Sequence, residues 1–177
     1  TMLESPSPVN TWLDVDTGER CLTDGLPWTP YAYNNNYQIV QSPGHVAIVH
    51  EQFRELRVIP IGARPEGNIP QWFGVSHGHW EGNTLVVETD RFVDKSSYEW
   101  AAAWRQARPT YHLVERFTRT ADDTLMYEFT VTDPTLFTSS WTAQTPMTKA
   151  EGEIFEYACH EGNYAMTSML GNNAGRK

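Results

Sequence analysis

The residue with the greatest capacity for chemistry is Glu115, in the run His112-Leu113-Val114-Glu115-Arg116-Phe117. Strand alternation puts Tyr111, Leu113, Glu115 and Phe117 on one face and His112, Val114, Arg116 and Thr118 on the other. The odd face reads as core, so Glu115 is a carboxylate among apolar neighbours. Such a group must be hydrogen-bonded, paired with a cation, or protonated. It then serves either as an acid or base or as half of a structural ion pair, with Arg57 the cation on the segment Leu56 to Ile61. Tyr127 shares a face with Leu125, Phe129 and Val131. Its phenol can donate to a developing oxyanion beside Glu115, or bond backbone or water. His160 lies in the run Tyr157 to Tyr164. It either complements Glu115 as an acid–base partner or caps a turn.

A second constellation is His77-Gly78-His79, whose rings project from one face of a strand and suit two ligands of a copper or zinc site. A third ligand has to come from His50, His112 or His160; without one, the pair is a surface feature. Trp72, Trp80, His79 and His50 are the candidates for the walls of a substrate or ligand site. The sequence holds no nucleophile elbow, phosphate-binding P-loop or dinucleotide fingerprint, so no cofactor is expected. Cys159 and His160 are adjacent on a predicted strand and point to opposite faces, which disfavours a thiol nucleophile.

These side chains need strands to hold them. Nine are predicted: Tyr37 to Gln41, His45 to Glu51, Leu56 to Ile61, Trp72 to Trp80, Thr84 to Thr89, Tyr111 to Arg119, Thr124 to Thr132, Ser140 to Thr145 and Glu153 to Cys159. The turns between them are short and rich in Gly, Pro and Asp, which favours antiparallel neighbours. A meander of this length tends to curl until its edges meet. The expected fold is all-β, an antiparallel meander closing into a lipocalin-like (calycin-type) barrel over residues 37–177. Residues 1–36, with Pro6, Pro8, Pro27, Pro30 and three consecutive asparagines, form an irregular wrapping segment. Helix is expected only at Glu99 to Ala107 and at Asn163 to Leu170, where Gly171 stops it.

Composition bounds the rest. One core suits 177 residues, and 13 basic against 22 acidic residues give a formal charge of -9. That balance disfavours nucleic acid and anionic lipid as partners, and no apolar run is long enough for a membrane span. A small-molecule ligand and a homo-oligomer are the partners left. Seven Trp, eight Tyr and seven Phe fit a β core or a site for a flat ring. Cys21 and Cys159 match no zinc-ligand spacing; they are either one disulfide or two buried thiols. The chain opens Thr1-Met2-Leu3-Glu4 without the basic and apolar regions of an export signal.

Three stretches together carry a resemblance: Gly78 through Thr89, His112 through Phe117, and Tyr157 through Tyr164. They resemble a large family of uncharacterised exported proteins from soil and aquatic bacteria. Its members carry Gly-Arg/His-Trp-Glu-Gly-Asp/Asn-Thr-Leu-Val-Val-Glu/Asp-Thr, then His-Leu-Val-Glu-Arg-Phe, then Tyr-Glu-Tyr-Ala-Cys-His-Glu-Gly-Asn-Tyr, in this order. The likeness spans about Arg20 to Leu170. It implies a periplasmic or secreted location and supports the disulfide reading, but names no reaction. The matched positions include Arg57, Trp80, Glu115, Tyr127, Cys159 and His160. His77 departs from the family pattern, so a metal site using it would be private to this chain. The Trp-Glu-Gly-x-Thr-Leu hairpin also resembles those of lipocalin-like barrels, which bind small molecules at the barrel mouth.

The leading functional expectation is an exported lyase or isomerase that needs no cofactor and acts on a plant-derived aromatic compound or a sugar. Glu115 and His160 would be its acid and base, and Tyr127 and Arg57 would stabilise negative charge. The rivals are a lipocalin-like binder without turnover, and a small copper or zinc enzyme using His77 and His79.

Overall fold

The computed structural model describes residues 11–15, 17–30, 33–94 and 108–171. Eight strands are found there: β1 (Tyr37–Ser42), β2 (His45–His50), β3 (Leu56–Pro60), β4 (Val75–Glu81), β5 (Thr84–Asp90), β6 (His112–Ala121), β7 (Thr124–Thr132) and β8 (Trp141–Thr148). One helix, α1 (Tyr164–Gly171), follows. The helix expected over Glu99 to Ala107 lies outside the described residues.

The strands form two antiparallel sheets, β1-β2-β3 and β4-β5-β6-β7-β8. The all-β antiparallel expectation is met, whereas neither sheet closes into a barrel. The sheets meet where Ile61 bridges to Gly78 and the Gly62 N–H donates to the Gly78 carbonyl at 2.8 Å. Position 78 favours glycine, because a Cβ there would lie a tight 3.1 Å from the Ile59 and Ile61 side chains and 3.2 Å from the Val86 carbonyl. At the opposite end, β1 and β8 are both edges. Pro146 sits in β8, and an edge strand tolerates proline because its missing N–H can face away from the neighbouring strand.

Alternation sets what points inward. Leu113, Glu115 and Phe117 of β6 are buried, as are Tyr127, Phe129 and Val131 of β7, and the outward residues between them are only partly covered. The core adds Val46, Ile48 and Ile59 from the smaller sheet and Leu85 and Val87 from β5. It also takes Leu26 and Trp28 from the irregular N-terminal segment. Burying a side chain of this size contributes roughly 1.5–3 kcal/mol.

Two expected strands differ from the structure. The one placed at Trp72 starts at Val75, because Gly74 turns with φ +63° and lies against the Asp90 carbonyl, where a side chain would have no room. The ninth, Glu153 to Cys159, is no strand. Its residues are held by point contacts instead: the Phe155 N–H donates to Glu51 Oε1 at 3.2 Å, and Cys159 is bonded to Cys21. The two cysteines form a disulfide, which resolves the alternative left open by their spacing.

Candidate functional site

Two polar groups are buried between the sheets, and they meet at Trp28. In the first, β3 and β6 face each other across the core. Arg57 donates to both carboxylate oxygens of Glu115, Nη1 to Oε1 at 3.1 Å and Nη2 to Oε2 at 2.7 Å. Its Nη2 also reaches the Ser76 and Thr89 hydroxyls, each at 3.1 Å. The Tyr127 hydroxyl donates to Glu115 Oε1 at 2.7 Å. Glu115 is 0 % exposed. Burial pushes the Tyr127 phenol well above the usual tyrosine range, and the charge of Glu115 and the hydrogen bond to it push further. The phenol is therefore a fixed donor at neutral pH, and the guanidinium grips the carboxylate through two parallel hydrogen bonds.

The second group surrounds Glu55, at the end of the turn between β2 and β3. Glu55 Oε1 accepts from the Thr23 hydroxyl at 2.6 Å, and Oε2 accepts from Trp28 Nε1 at 2.6 Å. His50 Nδ1 lies 3.5 Å from Oε2. The imidazole is stacked on Tyr37, ring centroids 4.5 Å apart, and neither ring nitrogen has a hydrogen-bond partner among the described residues. The Arg57 guanidinium lies 5.2 Å from the centre of the Trp28 ring, which joins the two groups. In the same turn, Glu51 accepts from Asn36 Nδ2 at 2.8 Å and from the Phe155 N–H. Phe53 and Arg54 have φ of +54° and +52°, a strained conformation for residues other than glycine.

A cleft of about 1090 Å³ opens between the free sides of β1 and β8. Its apolar lining comes from Trp28, Tyr37, Ile39, Leu125, Met147 and Ile154, and its charged lining from Arg119, Asp122, Asp123, Lys149, Glu151 and Glu153. The disulfide joins the segments on its two flanks, since Trp28, Pro30, Asn35 and Asn36 follow Cys21 and residues 149–154 precede Cys159.

The sequence-derived candidates divide between these places. Glu115, Arg57 and Tyr127 come together as expected, but none of them lines the cleft. His160 does not join them: it is exposed in the turn before α1, and the hydrogen bonds of Glu115 go to Arg57 and Tyr127. Trp72 and Trp80 do not line the cleft either, and Trp80 is 46 % exposed. His50 stands one ring behind the cleft, under Tyr37. His79 lies on the outer face of the large sheet, 3.2 Å from Glu81, while His112 is 3.9 Å from Glu88 on the same face. No three His, Cys, Asp or Glu side chains there or elsewhere among the described residues are grouped to hold a metal ion. Hydrogen bonds, from Arg116 first and then His79, hold Glu81 below the usual carboxylate range.

Trp28, Glu55 and the cleft-lining role of Tyr37 were not foreseen. A tryptophan between Pro27 and Pro30, in a segment otherwise fit only for turns, was the available signal. Comparison of the chain with family models, with curated proteins and with solved structures finds no match.

Proposed function

We propose that the chain is a lipocalin-like binding protein without turnover, an incompletely closed barrel whose mouth is the cleft between β1 and β8. The observation that carries this reading is the enclosure of Glu115. Both of its oxygens are held by Arg57 and one also by Tyr127, at 0 % exposure, so the carboxylate offers a substrate no access. The trio then acts as a polar rivet between the sheets, and the cleft supplies the recognition. Trp28 and Tyr37 with Ile39, Leu125 and Met147 suit a flat, largely apolar ring, and the charged and amide side chains of the lining suit hydroxyl substituents on it. A hydroxylated aromatic compound fits these walls better than a sugar, which needs more polar groups directed at each ring.

Calorimetric titration with a panel of simple phenols and hydroxylated aromatic acids, and with monosaccharides in parallel, tests the reading. Saturable binding of aromatic members, weakened by Ile39→Arg and accompanied by no change in the recovered compound, is the expected result. Conversion of any bound compound that Glu115→Gln abolishes while binding persists would instead establish acid–base catalysis.

A further inference from the structure

The two sheets have outer faces of opposite character. On the large sheet that face carries His77, His79, Glu81, Glu88, His112, Arg116 and Glu128, with Arg116 bonded to Glu81 at 2.7 Å. On the small sheet, the register Val40–Ala47–Val58, Gln38–Val49–Leu56 and Ser42–His45–Pro60 brings nine side chains to one face. None of them is Asp, Glu, Lys or Arg. Leu56 and Val58 are each 56 % exposed and Val40 is 48 % exposed, so the apolar part of this face is open to solvent. Contiguous apolar surface of this kind marks an interaction site more often than chance exposure does.

We infer that this face is where a second copy of the chain docks, the two small sheets stacking about a two-fold axis. Charge selects the partner. With 22 acidic against 13 basic residues, two copies repel over most of their surface, and a face without charge is where that repulsion is least. A strongly charged protein, a nucleic acid or an anionic membrane finds no ion to pair with there. A copy of the same face offers apolar side chains of matching size, self-complementary as a two-fold contact requires.

Size sets the expected strength. Three strands about 4.8 Å apart and six residues long at about 3.3 Å each give a face of roughly 300 Å². A standard interface covers about 800 Å² per partner, so the dimer should be weak and in rapid exchange. The face lies on the other side of the sheet from Tyr37, Ile48 and Arg57 and meets the cleft only at Gln38, so its apolar centre at Val40, Leu56 and Val58 stands apart from the ligand-binding reading.

Sedimentation velocity of the full chain between about 10 μM and about 1 mM is the test, a range that spans weak association. The expected result is a sedimentation coefficient that climbs toward the dimer value with concentration. Val58→Lys and Leu56→Lys should each weaken association by about tenfold or more, with unchanged circular dichroism. Thr142→Lys, on the charged sheet's outer face, should leave it intact. Should either lysine variant misfold, Val58→Thr provides a milder version of the same measurement. A wild-type chain that stays monomeric throughout, or a dimer indifferent to both Leu56 and Val58, overturns the inference.

Discussion

Glu115 and Glu55 are both buried carboxylates that bond several donors, yet they are built in contrasting ways. Glu115 stands in the middle of a regular strand, and its partners Arg57 and Tyr127 come from other strands. Glu55 stands at the end of a strained turn, and it gathers Thr23, Asp24 and Trp28 from the irregular N-terminal segment. The first fastens sheet to sheet through charge. The second fastens a segment without regular structure onto the sheets through neutral donors. A fold can thus dock a turn-rich segment without extending a sheet, provided an acidic side chain at the sheet end receives its hydrogen bonds.

The contrast predicts unequal consequences of breaking each cluster. Glu115→Gln leaves the Arg57 charge buried without its counterion and should cost about 3–5 kcal/mol, measured by urea unfolding. The double change Glu115→Leu with Arg57→Met should recover most of that loss, since a well-packed apolar pair replaces buried ions at little cost. Equal losses in the single and double variants would show that the trio contributes more than charge pairing. Replacing both cysteines by serine should cost about 2–5 kcal/mol, because the bridge closes a loop of 138 residues. Glu55→Gln keeps one acceptor and should cost only about 1–3 kcal/mol. Its signature should be altered Trp28 emission and faster proteolysis of the N-terminal segment, with the sheets intact by circular dichroism.

Smaller effects follow pH. The folded-state pKa of Tyr127 is raised, so its share of stability is complete below about pH 10, where unfolded tyrosine titrates. That share is lost as the pH climbs above this toward the folded value, and Tyr127→Phe should flatten the alkaline limb of the stability curve. Asp133 behaves in the opposite sense. Burial alone raises it, but hydrogen bonds from the Thr135 hydroxyl and N–H and from Thr110, with the charge of Arg108, hold it below the usual range. Its contribution is present above about pH 4 and fades as the pH falls through the lowered folded value, so Asp133→Asn should shallow the acid limb.

Regular strands made the first cluster legible. A period of two decides the face of every residue on β6 and β7, so Leu113 and Phe117 identified Glu115 as buried, and Leu125 and Phe129 did the same for Tyr127. Arg57 was legible for the same reason, as the cation on an otherwise apolar strand. The turn carries no such period. Nothing in Glu51 to Glu55 announces that two of its carboxylates are buried, because their partners lie outside the sheets and the backbone between them, at Phe53 and Arg54, leaves the common φ/ψ regions. Barrel closure and a ninth strand were expected for a related reason: alternation describes a strand's faces and says nothing of whether its edge finds a neighbour. Residues 153–159 have strand-forming composition, but their docking goes through Glu51 and Cys21.

Pro146 gives the open side of the molecule a further property. A foreign chain laying itself along β8 would look for an amide at that position and find a ring, so templated growth of fibrous aggregates is interrupted on this bank of the cleft. Two sheets left open on one side ordinarily expose two adhesive margins to every unfolded neighbour, and here one of the two is blunted by a single residue.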